Sequence, residues 1–207
     1  MLLCVLLFFE SCHNEELPVA YFLQQISGRD DGTLPFTRPL IYRIKVPRTW
    51  ITKIPETTAS LVDTMKPLCE FYCPQDKEPF IYISIHNFPL QERAISPLSQ
   101  VARWKGQFET LDAAKVSVIP QAFNGFLGVR FEASGILHKK ETTILSWAMQ
   151  VAPIHMSTLH LLNQAHLCAD WTIKATGPPT LIARYKAEIV QFARSFEFIE
   201  EIPSSTL

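Results

Sequence analysis

The C-terminal stretch from Ala169 to Phe198 places the strongest constraint on the fold of this chain. Its first part alternates apolar and polar residues, the period of two that predicts a half-buried strand. Gly177 then permits backbone angles that other residues resist. Pro178 and Pro179 suit a turn and the first positions of a helix. We therefore expect a strand that turns directly into a helix.

A single apolar stripe runs along this predicted helix. Its members recur at spacings of four, four, three and four residues: Leu181, Tyr185, Ile189, Phe192 and Phe196. A helix of about 16 residues is only marginally stable alone, so another part of the chain must cover the stripe. A sheet built by the preceding residues is the expected cover.

The preceding residues carry several strand patterns. These occur at 40–46, 68–72, 80–88, 115–119, 126–133 and 143–151, with Gly135 and residues 138–140 in the last connection. Residues 51–65 indicate a loop with at most a short strand, and 154–168 fit either a helix or a loop.

One further helix is predicted, with Ser96 as its N-cap and Pro97 at its first position. The side chains expected along its inner side are Leu98, Val101, Ala102, Lys105 and Phe108, with Trp104 close by. The order strand, hairpin, helix, hairpin, strand, helix predicts an α+β sandwich, in which helices pack on an antiparallel sheet.

The net charge of the chain argues against nucleic-acid binding. The 207 residues include 19 basic and 20 acidic side chains, for a formal net charge of −1. Because phosphate neutralisation requires a basic surface, we expect no nucleic-acid partner. Attachment to anionic lipid through basic residues alone is disfavoured for the same reason.

The N-terminus resembles a bacterial lipoprotein signal, in which a cysteine is acylated and becomes the first residue. The apolar run MLLCVLLFF is too short to span a bilayer but has the length of the apolar segment of a secretory signal. Ser11 is the small residue expected before the acylated Cys12. Phe9 and Glu10 depart from the usual pattern, and no basic residue precedes the run. The alternative is a frayed apolar terminus with an ordinary cysteine.

This resemblance divides the chain into four parts. Residues 1–11 are a signal segment, 12–39 a tether rich in turn residues, 40–200 the domain and 201–207 a tail. Within the tether, residues 21–23 are expected to form a short helix or to dock on the domain, and otherwise to belong to a mobile linker.

Two motifs resemble those of a known family. Residues 103–107 (RWKGQ) are similar to an R-W-x-x-Q signature, and residues 171–178 (WTIKATGP) to a W-x-x-K-x-x-G-P signature. With Val46-Pro47 followed by Trp50, and Ser195-Phe196 followed by Phe198, the chain resembles envelope lipoproteins with a PsbP-like domain of the PsbP, DcrB and LpqN type. The resemblance implies an α/β/α sandwich and a binding or assembly role without catalysis.

The same motifs supply the candidate binding residues. Arg103 and Gln107 are four residues apart and share a helix face, so together with Trp104 they suit a carboxylate or carbonyl of a partner. The structural alternative is that Trp104 packs on the sheet and Arg103 binds loop carbonyls. Lys174 lies in the middle of a strand. If a helix covers that face of the strand, the lysine ammonium needs a partner. That partner is either a ligand carboxylate or a structural ion pair.

Neither a metal site nor a catalytic site is expected. Cys69 and Cys73 are spaced too widely for the usual zinc pair and, in a strand, too far apart for a disulfide with each other. A disulfide from either to Cys168 remains open, with free thiols as the default. Motifs for cofactor binding or nucleophilic catalysis do not occur, so we expect no cofactor and no catalytic residue.

These observations support competing hypotheses. The leading one is a lipid-anchored protein of the cell envelope, facing the periplasm or cell exterior, that binds another protein without catalysis. The alternative is a soluble ligand-binding or enzymatic domain, which requires Arg103, Gln107 and Lys174 to converge. A third is a secreted protein whose apolar start is only an export signal.

Overall fold

The computed structural model describes residues 19–27, 40–54, 65–73, 78–89, 95–161 and 169–199. These residues form eleven strands and three α-helices. The strands are β1 (Tyr21–Ser27), β2 (Leu40–Pro47), β3 (Ile51–Lys53), β4 (Cys69–Cys73), β5 (Ile81–Pro89), β6 (Thr110–Leu111), β7 (Ser117–Phe123), β8 (Phe126–Leu137), β9 (Lys140–Val151), β10 (Ala169–Gly177) and β11 (Glu197–Phe198). The helices are α1 (Pro97–Lys105), α2 (Pro153–Leu161) and α3 (Pro179–Arg194).

Eight strands form the main sheet, in the order β3-β4-β5-β10-β9-β8-β6, with β7 also paired to β8. Every neighbouring pair is antiparallel. β10 lies between the long strands β5 and β9, and layers cover much of both its faces. Its polar Asp170 and Thr172 are therefore buried. The prediction of a strand with one wet face was wrong over this part of β10.

A second sheet has three strands in the order β1-β2-β11. β1 falls inside residues 12–39, which the sequence predicted as a tether. Its Ile26 is only 4% exposed, and Phe22 packs on the main core. Burial of these two apolar side chains and seven residues of pairing with β2 hold this segment on the domain. The folded part therefore begins by Tyr21. Residues 21–23 dock on the domain, which was one of the two predicted alternatives, but as a strand and not as a short helix.

The main core lies on the inner face of the large sheet. Trp171, Ile173 and Ala175 of β10 point into it and meet α3, which contributes Ile189 and Phe192. The small sheet closes the same core; the ring of its Tyr42 lies 3.9 Å, centroid to centroid, from the ring of Trp171. The prediction that a sheet covers the apolar stripe of the C-terminal helix is confirmed, although Leu181 and Tyr185 are only half-buried.

A smaller core lies on the opposite, outer face, under α1. The ring of Trp104 stacks on that of Phe131 of β8 at 6.0 Å between centroids. The other apolar members are Val101, Phe108, Ala133, Ile144 and Ala148. The inner side predicted for this helix was partly wrong, since Leu98, Ala102 and Lys105 are exposed. Burying the indole of Trp104 removes more apolar surface from water, and this sets the rotation of the helix.

Two tight turns join β7 to β8 and β8 to β9. Asn124 and Gly125 in the first, and His138 and Lys139 in the second, all have positive φ. Two consecutive residues of this kind match the right-handed twist of antiparallel strands. Gly135 was expected in the second connection but lies within β8. The connection is shorter than predicted because the left-handed turn needs only His138 and Lys139.

Helices lie on both faces of the large sheet, so the predicted α+β class with an α/β/α sandwich is confirmed. The ambiguous segment at 154–168 is helical up to Leu161, and the remainder lies outside the described residues. The short strands β3 and β6 extend opposite ends of the sheet. No helix among the described residues is long and apolar enough to cross a membrane.

Candidate functional site

A row of polar side chains crosses the outer face of the large sheet. Lys174 of β10 stands directly opposite Ser84 of β5 and Ser146 of β9, and Glu70 of β4 continues the row beyond Ser84. Residues paired in this way point to the same face, which is the one on which α1 packs. Both serines are buried, while Lys174 remains half-exposed. The row therefore passes from the edge of the outer core to solvent.

The helix α1 brings two further polar groups to this row. The Lys174 ammonium donates to Gln107 Oε1 at 2.6 Å. The guanidinium of Arg103 lies over the Phe88 ring, 5.6 Å from its centroid. Arg103 is also close enough for its charge to act on Lys174. We call Arg103, Gln107 and Lys174 the cationic cluster.

Asp170 fixes the start of α1 above the sheet. Its two carboxylate oxygens accept from the Ile95 backbone N–H and the Gln150 side-chain amide, each at 2.8 Å. Ser96 Oγ then caps the helix by accepting from the Ser99 N–H, as its sequence position predicted. Burial raises the pKa of Asp170, and these two hydrogen bonds oppose the rise. Asp170 thus positions the helix that carries Arg103 and Gln107.

The cationic cluster has no acidic counter-ion among the residues that the structure describes. None of the ion pairs within the described residues includes Arg103 or Lys174. Burial and, as the smaller cause, the positive charge of Arg103 together lower the pKa of Lys174 to about 8. A half-buried ammonium held beside a second cation reduces stability, which is a common feature of binding sites.

We expect the lowered pKa of Lys174 to appear in the pH dependence of stability. Below pH 8 Lys174 is charged in both folded and unfolded chains, so its unfavourable burial acts in full. Between about 8 and its ordinary pKa of 10.5 the folded chain loses the proton first, so the unfolding free energy rises with pH. The rise should be on the order of 1–2 kcal/mol after allowance for exposure.

Comparison with Lys174→Met isolates this contribution. Urea unfolding of both proteins from pH 7 to 10.5 should show that the unfolding free energy of the wild type rises relative to that of the variant across this window. A difference that stays constant with pH would contradict the lowered pKa. Because the comparison uses one substitution, the other titrating groups cancel to a good approximation.

Two buried polar atoms of α1 and β9 have no hydrogen-bond partner within the described ranges. Ser146, the cross-strand neighbour of Lys174, is fully buried, and its Oγ is unpaired. Gln100 is 2% exposed, and its Oε1 is unpaired. Gln100 lies one helical turn before Arg103 on α1, and Gln107 follows the end of that helix. Buried polar atoms are usually hydrogen-bonded. An unpaired one therefore needs an explanation, and a bound ion or water is a common one.

The structure separates the four predicted binding residues into two groups. Arg103, Gln107 and Lys174 converge, although they lie on different elements. Trp104 is 2% exposed, and its ring stacks on the ring of Phe131. Trp104 is therefore a packing residue and offers no surface to a ligand. This is the structural alternative that the sequence left open for it.

A second polar group on the same face was not predicted from the sequence. Glu70 accepts from Tyr82 at 2.7 Å and, more weakly, from Tyr72 at 3.4 Å. Burial and the bond to Glu70 both raise the pKa of Tyr82. The available signal was the alternation of Glu70 and Tyr72 with the apolar residues of β4, which places both on the polar face.

The described cysteines are buried free thiols. Cys69 and Cys73 lie on the inner face of β4, and burial raises the pKa of each to about 12. Thiols of this kind are poor nucleophiles and poor metal ligands at neutral pH. The described residues contain no group of three or more metal-ligating side chains. Cys12 and Cys168 lie outside the described residues.

Comparison with solved structures places the fold. LpqN of Mycobacterium tuberculosis, described as involved in cell envelope biogenesis, is similar with a TM-score of 0.50. The two chains share 10% identity, and the similarity covers 89% of this chain and 87% of LpqN. This chain shares the fold of LpqN.

A solution structure of cyanobacterial PsbP from Synechocystis is similar as well. Its TM-score is 0.49 at 12% identity, over 92% of this chain and 98% of that one. No protein-family model matches the sequence, and no curated protein matches it. Structural similarity at such low identity concerns the fold alone and does not assign a ligand.

Proposed function

We propose that this chain is a non-catalytic binding domain held at a membrane of the bacterial cell envelope by a lipid on Cys12. The observation that carries the anchor is the apolar run ending at Ser11-Cys12 and followed by polar residues. The PsbP-like fold shared with LpqN supports the envelope setting, since LpqN is described as involved in cell envelope biogenesis.

The chemistry of the cationic cluster supports binding over catalysis. Lys174, Arg103 and Gln107 carry hydrogen-bond donors and lie on a strand, on a helix and in the turn after that helix. The buried thiols with raised pKa do not supply a nucleophile. Donors fixed on a helix and a strand suit recognition of an acceptor group on a partner.

The anchor would hold the domain close to the membrane. Because β1 begins at Tyr21, the first strand starts nine positions after Cys12, with eight residues between them. A fully extended chain of that length reaches about 30 Å. A partner of the domain would therefore lie at or near the membrane surface, within about one domain diameter.

Metabolic labelling with a palmitate analogue tests the anchor. We expect the wild-type chain to be labelled and to sediment with membranes, and Cys12→Ser to lose both properties. Cys4→Ser is the matched control, since it removes a cysteine from the same N-terminal region and should stay labelled. Label that persists in Cys12→Ser would contradict the lipid anchor, and soluble wild-type protein outside the cell would support secretion instead.

One observation favours a second candidate, a soluble domain that binds a small acidic molecule. The three residues required for it do converge, which was the condition set by the sequence. Fractionation separates the two candidates, because a soluble ligand-binding domain stays out of the membrane pellet in both the wild type and Cys12→Ser.

A further inference from the structure

The cationic cluster has an excess of hydrogen-bond donors. The Lys174 ammonium carries three donors, of which one goes to Gln107 Oε1 at 2.6 Å. The Gln107 amide group then adds its own N–H donors, and the Arg103 guanidinium presents several more. Arg103 and Gln107 are both exposed, so their donors face outward from the sheet. An acceptor with negative charge would satisfy all three residues at once.

The nearest carboxylate along the polar row does not serve as this acceptor. Glu70 lies two strands from Lys174, roughly 9–10 Å at the usual strand spacing. Its carboxylate is already bound by Tyr82 and Tyr72. The counter-charge of the cluster is thus missing from the described part of the chain.

Ser146 provides an independent sign of a missing partner. It is fully buried, points to the same face as Lys174 and stands directly opposite it, yet its hydroxyl is unpaired. An unpaired buried hydroxyl reduces stability, and a bound partner would remove that penalty. An acceptor seated against Lys174 would lie beside this hydroxyl as well.

The position on α1 selects the class of anion. Arg103 and Gln107 lie in the last turn of α1 and just beyond it, where the helix dipole is negative. Phosphate sites typically use the opposite end of a helix, where free N–H groups point at the ligand. A dianion is disfavoured here, whereas a carboxylate matches the Arg103 fork and carries a single charge.

We propose that the cationic cluster binds a carboxylate group, with Arg103 and Lys174 supplying the charges and the Gln107 amide a neutral hydrogen bond. The proposal deepens the binding role proposed above by naming the chemical class that the domain recognises. The carboxylate comes from a small organic acid or from an acidic side chain or C-terminus of a protein.

Nuclear magnetic resonance titration of the full chain tests the proposal at pH 7. Succinate and a hexa-aspartate peptide are the two carboxylate probes, and inorganic phosphate is the competing anion. We expect saturable shifts at the Lys174, Gln107 and Arg103 signals with at least one carboxylate probe. Saturation by succinate indicates a small-molecule source, and tighter saturation by the peptide indicates a protein source.

Variants distinguish a built site from a general attraction to positive charge. Lys174→Met and Arg103→Met should each weaken binding about tenfold, the effect of losing one charge-assisted hydrogen bond. Lys105→Met is the matched control, because it removes an exposed charge from the same helix without touching the cluster. It should bind the probe as the wild type does.

Gln107→Glu provides a second, opposite test. It supplies a carboxylate from within the chain, so probe binding should be lost while the thermal midpoint rises by roughly 2–4 °C. A stabilised variant that no longer binds cannot be explained by unfolding.

Three results would overturn the proposal. They are absence of saturable shifts with both carboxylate probes, an equal loss of binding in Lys105→Met, and phosphate binding tighter than either carboxylate. None of these depends on Cys12, so failure here leaves the lipid anchor untouched. Loss of labelling at Cys12 likewise has no bearing on the carboxylate titration.

Discussion

Phe192→Ala is expected to lower the free energy of unfolding by about 3–5 kcal/mol. Phe192 is fully buried where α3 meets the large sheet. Its ring lies 4.9 Å from that of Trp50 and 5.0 Å from that of Phe71, centroid to centroid. Truncation removes this apolar contact, and the rigid layers on either side cannot close the cavity. Urea unfolding monitored by circular dichroism measures the loss.

Arg194→Ala is the control for this prediction. Arg194 is on the last turn of the same helix but is exposed, so its replacement should change the unfolding free energy by less than about 1 kcal/mol. A loss under about 1 kcal/mol for Phe192→Ala as well would mean that the apolar stripe of α3 faces water. The proposed layer order would then fail.

Gly128→Ala is expected to destabilise the chain by about 3 kcal/mol or more, which is large for the addition of one methyl group. A Cβ at Gly128 would lie 2.0 Å from the backbone oxygen of Ala148 on the neighbouring strand β9. Backbone atoms paired within a sheet cannot move aside as a side-chain end can. The strands β8 and β9 would have to separate locally, with loss of their hydrogen bonds.

Gly106→Ala provides the comparison. Gly106 follows α1 with ordinary helical angles, and a Cβ there would be 3.6 Å from its nearest neighbours. We expect this variant to be as stable as the wild type or slightly more so, because alanine restricts the unfolded chain. Equal thermal midpoints for the two alanine variants would contradict the close approach at Gly128.

The candidate site was only partly predictable from sequence patterns. The spacing of Arg103 and Gln107 predicted a shared helix face, and the alternation around Lys174 predicted a strand. Nothing in these local patterns placed α1 on β8 and β9, with its C-terminal end beside Lys174 of β10. That juxtaposition depends on the pairing of β10 with β9, and on the bonds from Asp170 to the segment that begins α1.

The rotation of α1 was also beyond the sequence pattern. Two faces of this helix are plausible: one through Leu98, Ala102 and Lys105, and one through Trp104 and Phe108. Periodicity alone does not choose between them, because each has apolar residues at helical spacing. In the structure the side of α1 that carries Trp104 packs on the sheet, because the indole buries more apolar surface against Phe131 than the smaller side chains would.

The sequence by itself determined the local elements: the C-terminal strand, its Gly-Pro-Pro turn and the helix after it, together with the α+β class. These depend on spacings of two to four residues and on the backbone preferences of glycine and proline, which are properties of short segments. Only the tertiary structure decided that β1 belongs to the domain, that Trp104 is core and that Arg103, Gln107 and Lys174 meet. Such contacts join residues far apart in the chain, and their free energy comes from burial and strand pairing that exist only once all layers are assembled.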